Sequence, residues 1–191
     1  PRRREPEDRL KIERWDAGSG RMETVFEADG CLAGTNVPLT RFNLATVSSD
    51  GRRLAGSAWL GDGQHADAPF GVIVIDLTSG QARVVAEDRD FNNPHLQYCR
   101  SREPEASHDL LVQMNHGCHS DAAGKILCAL GPPEEGGCDI HAVRDDGTAW
   151  RDLPWGRDGR ESCIGHQVWR GEGRSAATVV LQNTDRSYGW A

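Results

Sequence analysis

The chain has 191 residues, enough for one ordinary domain, and its 29 acidic against 22 basic residues leave a net charge of −7. That balance weighs against non-specific nucleic-acid binding, which needs a basic face. No apolar run approaches the roughly 20 residues that span a membrane as a helix, and six cysteines without a CxxC pair argue against structural zinc and suit reduced thiols.

From the N-terminus, a charged stretch (PRRREPEDR) gives way to a strand–turn–strand unit at residues 10–26, LKIERWDAGSGRMETVF. The unit recurs at 72–86 (VIVIDLTSGQARVVA) and 139–153 (DIHAVRDDGTAWRDL), its turn glycines Gly20, Gly80 and Gly147 lying 60 and 67 positions apart. A repeat of that period, built from strands and without helical periodicity, is the pattern of β-propeller blades. It predicts an all-β chain forming one partial propeller domain over residues 1–191. Closure takes about 4–8 blades, so the chain is expected to be an incomplete fragment of about three to four four-stranded antiparallel blades.

Residues 1–28 read as the outer strands of a blade. Residues 42–88 read as a blade with strands at 42–49 and 53–59, turning at Asp50-Gly51, where a positive φ is easily placed. The next blade, 93–156, opens at 93–100, has an apolar second strand at 109–114, and carries an insertion at 115–137 rich in Gly, Pro, His and Cys. A further blade starts in 162–191, with strands at 162–169 and 175–181. Both ends of the chain read as cut.

The first strand of a propeller blade borders the central channel, which directs attention to FNLATV, NPHLQYC and CIGHQVW. His95 and Gln97 are two apart, so strand alternation predicts one shared face. His166 takes a similar place in the following blade. Two imidazoles and an amide meeting at one channel mouth are competent ligands for Mn²⁺ or Zn²⁺. An unliganded imidazole there can equally act as a general base near neutral pH, or simply hydrogen-bond neighbouring strands. Arg100 can place positive charge beside His95 for a carboxylate, or make a surface ion pair. His116 and His119, in NHGCHSD, either line the mouth or are solvated. Trp169 can contact a ligand near His166, although the tryptophans chiefly suit packing between blades. His65 reads as solvated, His108 as needing no function, and His141 as packed or at an edge.

Four segments taken in order, PHLQY (94–98), HDLLVQMNHG (108–117), DLPWG (152–156) and ESCIGHQVWRG (161–171), resemble the oligogalacturonate lyase family and its TolB-like propeller relatives. The resemblance runs over residues 43–182 and is strongest at GHQVW with the ESC before it. It implies a seven-bladed propeller with Mn²⁺, or another divalent metal, in its channel. It also implies a metal-dependent polysaccharide lyase that cleaves short oligogalacturonides by β-elimination, as in pectin degradation. By position, His166 would be the first metal ligand and His95 the general base, with Arg100 loosely matching an arginine nearby. The other ligands, a Gln and two His, would belong to a later blade. Gln97, His116 and Trp169 are the expected substrate contacts. The expected partner is an oligogalacturonide or other small uronate saccharide, with no nucleic acid and no membrane, in the cytoplasm rather than the periplasm. The alternative is a non-catalytic TolB-like propeller serving as a protein- or sugar-binding scaffold.

Overall fold

The three turns that repeat in the sequence repeat in space. Gly20, Gly80 and Gly147 have φ of 70°, 75° and 86°, the left-handed region that glycine enters without a Cβ penalty. In the first two turns an aspartate organises the loop: Asp16 Oδ1 accepts from Ser19 N (2.7 Å) and Asp76 Oδ1 from Ser79 N (2.9 Å). The third is one residue tighter, with Gly147 N donating to Arg144 O at 2.8 Å. A Cβ at Gly147 would lie 2.8 Å from Val85 O of the neighbouring sheet, so this turn also fixes how closely two sheets approach.

A computed structural model describes residues 9–38, 42–131, 137–154, 161–163, 166–171, 175–177 and 180–182. Trp155, Gly156 and residues 183–191, Trp190 among them, lie outside the described residues. Among the described residues there is no α-helix, only two single 3-10 turns, Arg89–Phe91 and Ala106–His108. Strands β1 (Arg9–Trp15) and β2 (Met22–Asp29) form the first hairpin. Strands β3 (Phe42–Val47), β4 (Arg53–Trp59), β5 (Phe70–Asp76) and β6 (Ala82–Asp88) make an antiparallel meander in that order. A second four-stranded sheet runs β7 (Gln97–Tyr98), β8 (Asp109–Asn115), β11 (Cys138–Arg144), β12 (Arg151–Asp152). The hairpin of β9 (His119–Ser120) and β10 (Ile126–Cys128) is its insertion. Beyond it, β13 (Glu161–Cys163) pairs with β16 (Val180–Gln182), and β14 (Val168–Arg170) with β15 (Ser175–Ala177).

Alternation along the strands stacks these sheets face to face. In β5, Val72 and Val74 join Tyr98, Leu110, Val112 and Val143 of the next sheet in one core. Ile73 and Ile75 point the other way, to Phe26, Leu32 and Val37 beside the first hairpin. In β8 and β11, Leu111, Ile140 and Ala142 face Trp169 and Ala176. Strands covered on both faces are apolar along most of their length, which is why FGVIVID and DLLVQM read as largely apolar runs. At roughly 25 cal/mol per Å² of apolar surface, such two-sided burial dominates the stability. The result is an all-β stack of propeller blades, as the repeat predicts.

One polar knot ties two blades together. Asp145, whose side chain is 2% exposed, accepts from Arg53 Nη1 (3.0 Å) and the Tyr98 hydroxyl (3.2 Å) and faces His108 Nδ1 at 2.9 Å. Burial, then the Asp145 charge, pushes the Tyr98 hydroxyl far above its ordinary pKa, so it stays a donor. His108, to which the sequence assigns no task, has a structural one here.

Candidate functional site

The site lies where the chain leaves the β6–β7 connection and enters the inner strand of the next sheet. His95 precedes β7 rather than lying in it, with φ of 41°. Alternation therefore does not govern its relation to Gln97, because the left-handed kink re-aims the imidazole independently of the strand. His166 adopts the same unusual backbone, φ 58°, before β14. Non-glycine residues held there cost on the order of 1–3 kcal/mol each and persist only when neighbours enforce them. The enforcing contact is visible: Gln167 Nε2 donates to His95 O at 2.8 Å and to Pro94 O at 3.4 Å.

The two kinks bring the imidazoles together. The His95 and His166 rings stand edge to face, centroids 5.2 Å apart and planes at 85°. His95 is half-buried and His166 exposed. Burial, and then the neighbouring His166, lower the His95 pKa, so at pH 7 its ring is neutral and keeps a basic lone pair. Asn93 Nδ2 donates to His95 Nε2 at 2.9 Å. Behind them lies a run of buried amides: Gln113 Nε2 donates to Asn115 Oδ1 (2.6 Å), and Asn115 Nδ2 to Asn93 O (3.4 Å). Gln113 Oε1 and Gln167 Oε1 are buried acceptors without a hydrogen-bond partner among the described residues.

The other expected site residues are placed differently. Gln97 Oε1 accepts from Trp169 N and Gln97 O from Trp169 Nε1, both at 2.9 Å. Those bonds use the Gln97 side-chain oxygen and the indole N–H to staple two blades, and the Trp169 ring packs on the Leu111 core. Arg100 is exposed and follows the two-residue β7, whereas His95 precedes it.

His116 belongs to a separate array. Its Nδ1 lies 3.0 Å from Asp90 Oδ2 and its Nε2 3.2 Å from Asp139 Oδ1, which leaves neither ring nitrogen for a saccharide. Asp139 Oδ1 also faces His141 Nε2 (2.8 Å), and His141 Nδ1 faces Asp152 Oδ1 (2.9 Å). The hydrogen bond to Asp139 raises the His116 pKa, against the effect of burial. Burial pushes the Asp139 carboxyl up, but the bonds from His116 and His141 outweigh it and hold it well below the usual carboxylate range.

Gln167 and Asn93 were not singled out from the sequence. The available signal was the Asn-Pro turn dipeptide just before His95, which marks a place where strand alternation stops.

Among the described residues, no three His, Cys, Asp or Glu side chains are placed to share a metal ion. The exposed His166 fits as one nitrogen ligand; the described residues do not complete a coordination sphere.

Fold and site together define a β-propeller portion with two imidazoles opposed across neighbouring sheets. No protein-family model and no curated protein matches the chain. Its structure is similar to oligogalacturonate lyase from Vibrio parahaemolyticus, with TM-score 0.56 and 16% identity, covering 93% of this chain and 43% of that one. It is similar also to an oligogalacturonate lyase in complex with manganese, with TM-score 0.55, 15% identity, and coverage of 93% and 42%. The chain thus spans less than half the length of these neighbours, and likeness at that identity shows the fold alone.

Proposed function

We propose that this chain carries part of the active site of a metal-dependent lyase that cleaves short oligogalacturonides, or similar uronate saccharides, by β-elimination. The observation behind the reading is the His95–His166 pair, ring centroids 5.2 Å apart, with both residues at positive φ and the His95 carbonyl held by Gln167. Likeness in fold to two oligogalacturonate lyases, one described with manganese, supports it.

In this reaction the C5 hydrogen of a uronate leaves as a proton, being α to the carboxylate. Its bonding electrons form the C4–C5 double bond, the C4–O glycosidic bond breaks, and the departing oxygen is protonated. His95 supplies the base: it is neutral at pH 7, its carbonyl is held by Gln167, and its ring is half-buried. Such a positioned base contributes roughly 10²–10⁴-fold. Mn²⁺ or a similar ion, with His166 among its ligands, would supply positive charge for the carboxylate as enolate character develops.

The test is digalacturonate with Mn²⁺, monitoring the ultraviolet absorbance of an unsaturated uronide. His95→Ala is expected to abolish turnover while bound Mn²⁺ stays unchanged. Saccharide binding without any unsaturated product would overturn the lyase reading and leave a sugar-binding scaffold.

A further inference from the structure

The structure assigns to Asn93 the role of positioning residue for His95: its side-chain amide decides which ring nitrogen carries the proton. Asn93 Nδ2 can only donate, so at 2.9 Å it engages the Nε2 lone pair and leaves the single proton of the neutral ring on Nδ1. An Asn and a His two residues apart do not ordinarily meet in a strand, where same-face neighbours stand roughly 7 Å apart. The left-handed turn at His95, φ 41°, closes that gap.

Both partners are fixed from outside the pair. Asn115 Nδ2 donates to Asn93 O, and Asn115 is in turn held by Gln113, each 5% exposed. Gln167 fixes the His95 carbonyl from the neighbouring sheet. The backbone that carries the Asn93 amide is therefore anchored by a buried run, and the amide itself is half-buried.

Two consequences follow. Before a saccharide arrives, Nε2 is capped by Asn93, and the proton-accepting lone pair is released only when substrate displaces that N–H. The direction of the ring relative to His166 is also set by Asn93. The bearing on turnover rests on the reading of His95 as the base; the tautomer itself does not.

Ring ¹⁵N shifts of His95, read from long-range ¹H–¹⁵N correlation spectra of the chain at a pH where the ring is neutral, test the assignment. The expected result is the Nδ1–H tautomer in the unmodified protein. Asn93→Asp, of nearly the same shape, presents only acceptors and is expected to switch the ring to Nε2–H. Asn93→Ala is expected to give a mixture. A ring already in the Nε2–H form without any substitution would overturn the proposal, as would a tautomer that both variants leave unchanged. If the tautomer switches but no variant and no parent protein forms unsaturated uronide, the positioning role stands and the lyase reading falls.

Discussion

Two regions of this molecule use histidine in opposite ways. At the inner strands, His95 and His166 face each other, and burial lowers the pKa of His95. In the array of Asp90, His116, Asp139, His141 and Asp152, imidazoles alternate with carboxylates, and the His116 pKa is raised. A ring between two carboxylates has its nitrogens spent, which suits a structural tie. A neutral ring with no carboxylate on it retains a lone pair for a proton or a metal. The sorting variable is the partner, not the residue type. Sequence proximity to Asp does not reveal it, since Asp90 and Asp139 reach His116 from 26 and 23 positions away.

Asp139 is the sharpest place to break the contrast, because one oxygen serves two imidazoles. Asp139→Ala leaves both rings without their shared acceptor at a site where the side chain is 10% exposed. A loss of about 3–5 kcal/mol is expected, as for removing one partner of a buried ion pair. Chemical denaturation measures it. A loss below 1 kcal/mol would mean that the array contributes little.

The pH dependence separates the regions by sign. The folded-state pKa of His116 is raised, so its contribution is full below the ordinary value of 6.5 and is lost as pH climbs through the raised value. His95 is lowered, so its contribution is full above 6.5 and is lost as pH falls through the depressed value. His116→Gln is therefore expected to cost about 2 kcal/mol on the acid side of neutrality, the scale of a hydrogen bond to a charged group. The cost should shrink as pH rises. A cost that is flat with pH from 5 to 9 would show that His116 does not titrate in this range.

Much of the fold was legible because strand repetition is a local property. Each repeated hairpin declares itself through its turn glycine and flanking alternation, β5 through an uninterrupted apolar run and β8 through a largely apolar one. The inner strand of the second sheet was read too long: residues 93–100 were expected to be extended, but only Gln97–Tyr98 pair. The backbone kink at His95 displaces what precedes it, and that kink is enforced by Gln167, 72 positions away. Contacts of that range leave no local trace. The pairing of His95 with His166 was nonetheless reachable, since equivalent positions in neighbouring blades must lie side by side. The spending of Gln97 and Trp169 on each other was not, because an amide and an indole in those places look the same whether they staple two blades or wait for a ligand.

The smallest expected effect on stability sits at the proposed metal ligand. His166 is exposed and touches the edge of the His95 ring without contributing to any of the apolar cores. Exposed substitutions away from caps and buried networks generally change stability by no more than about 0.5 kcal/mol. His166→Ala is expected to fall in that range, and His166→Gly could exceed it favourably by relieving the left-handed backbone at φ 58°. If His166→Ala instead destabilises the chain by 2 kcal/mol or more in denaturant titrations, the edge-to-face pair is a packing element, and His166 belongs with His116 and His141 among the structural histidines. Near-zero cost, together with lost Mn²⁺ binding, would place it on the other side of the comparison.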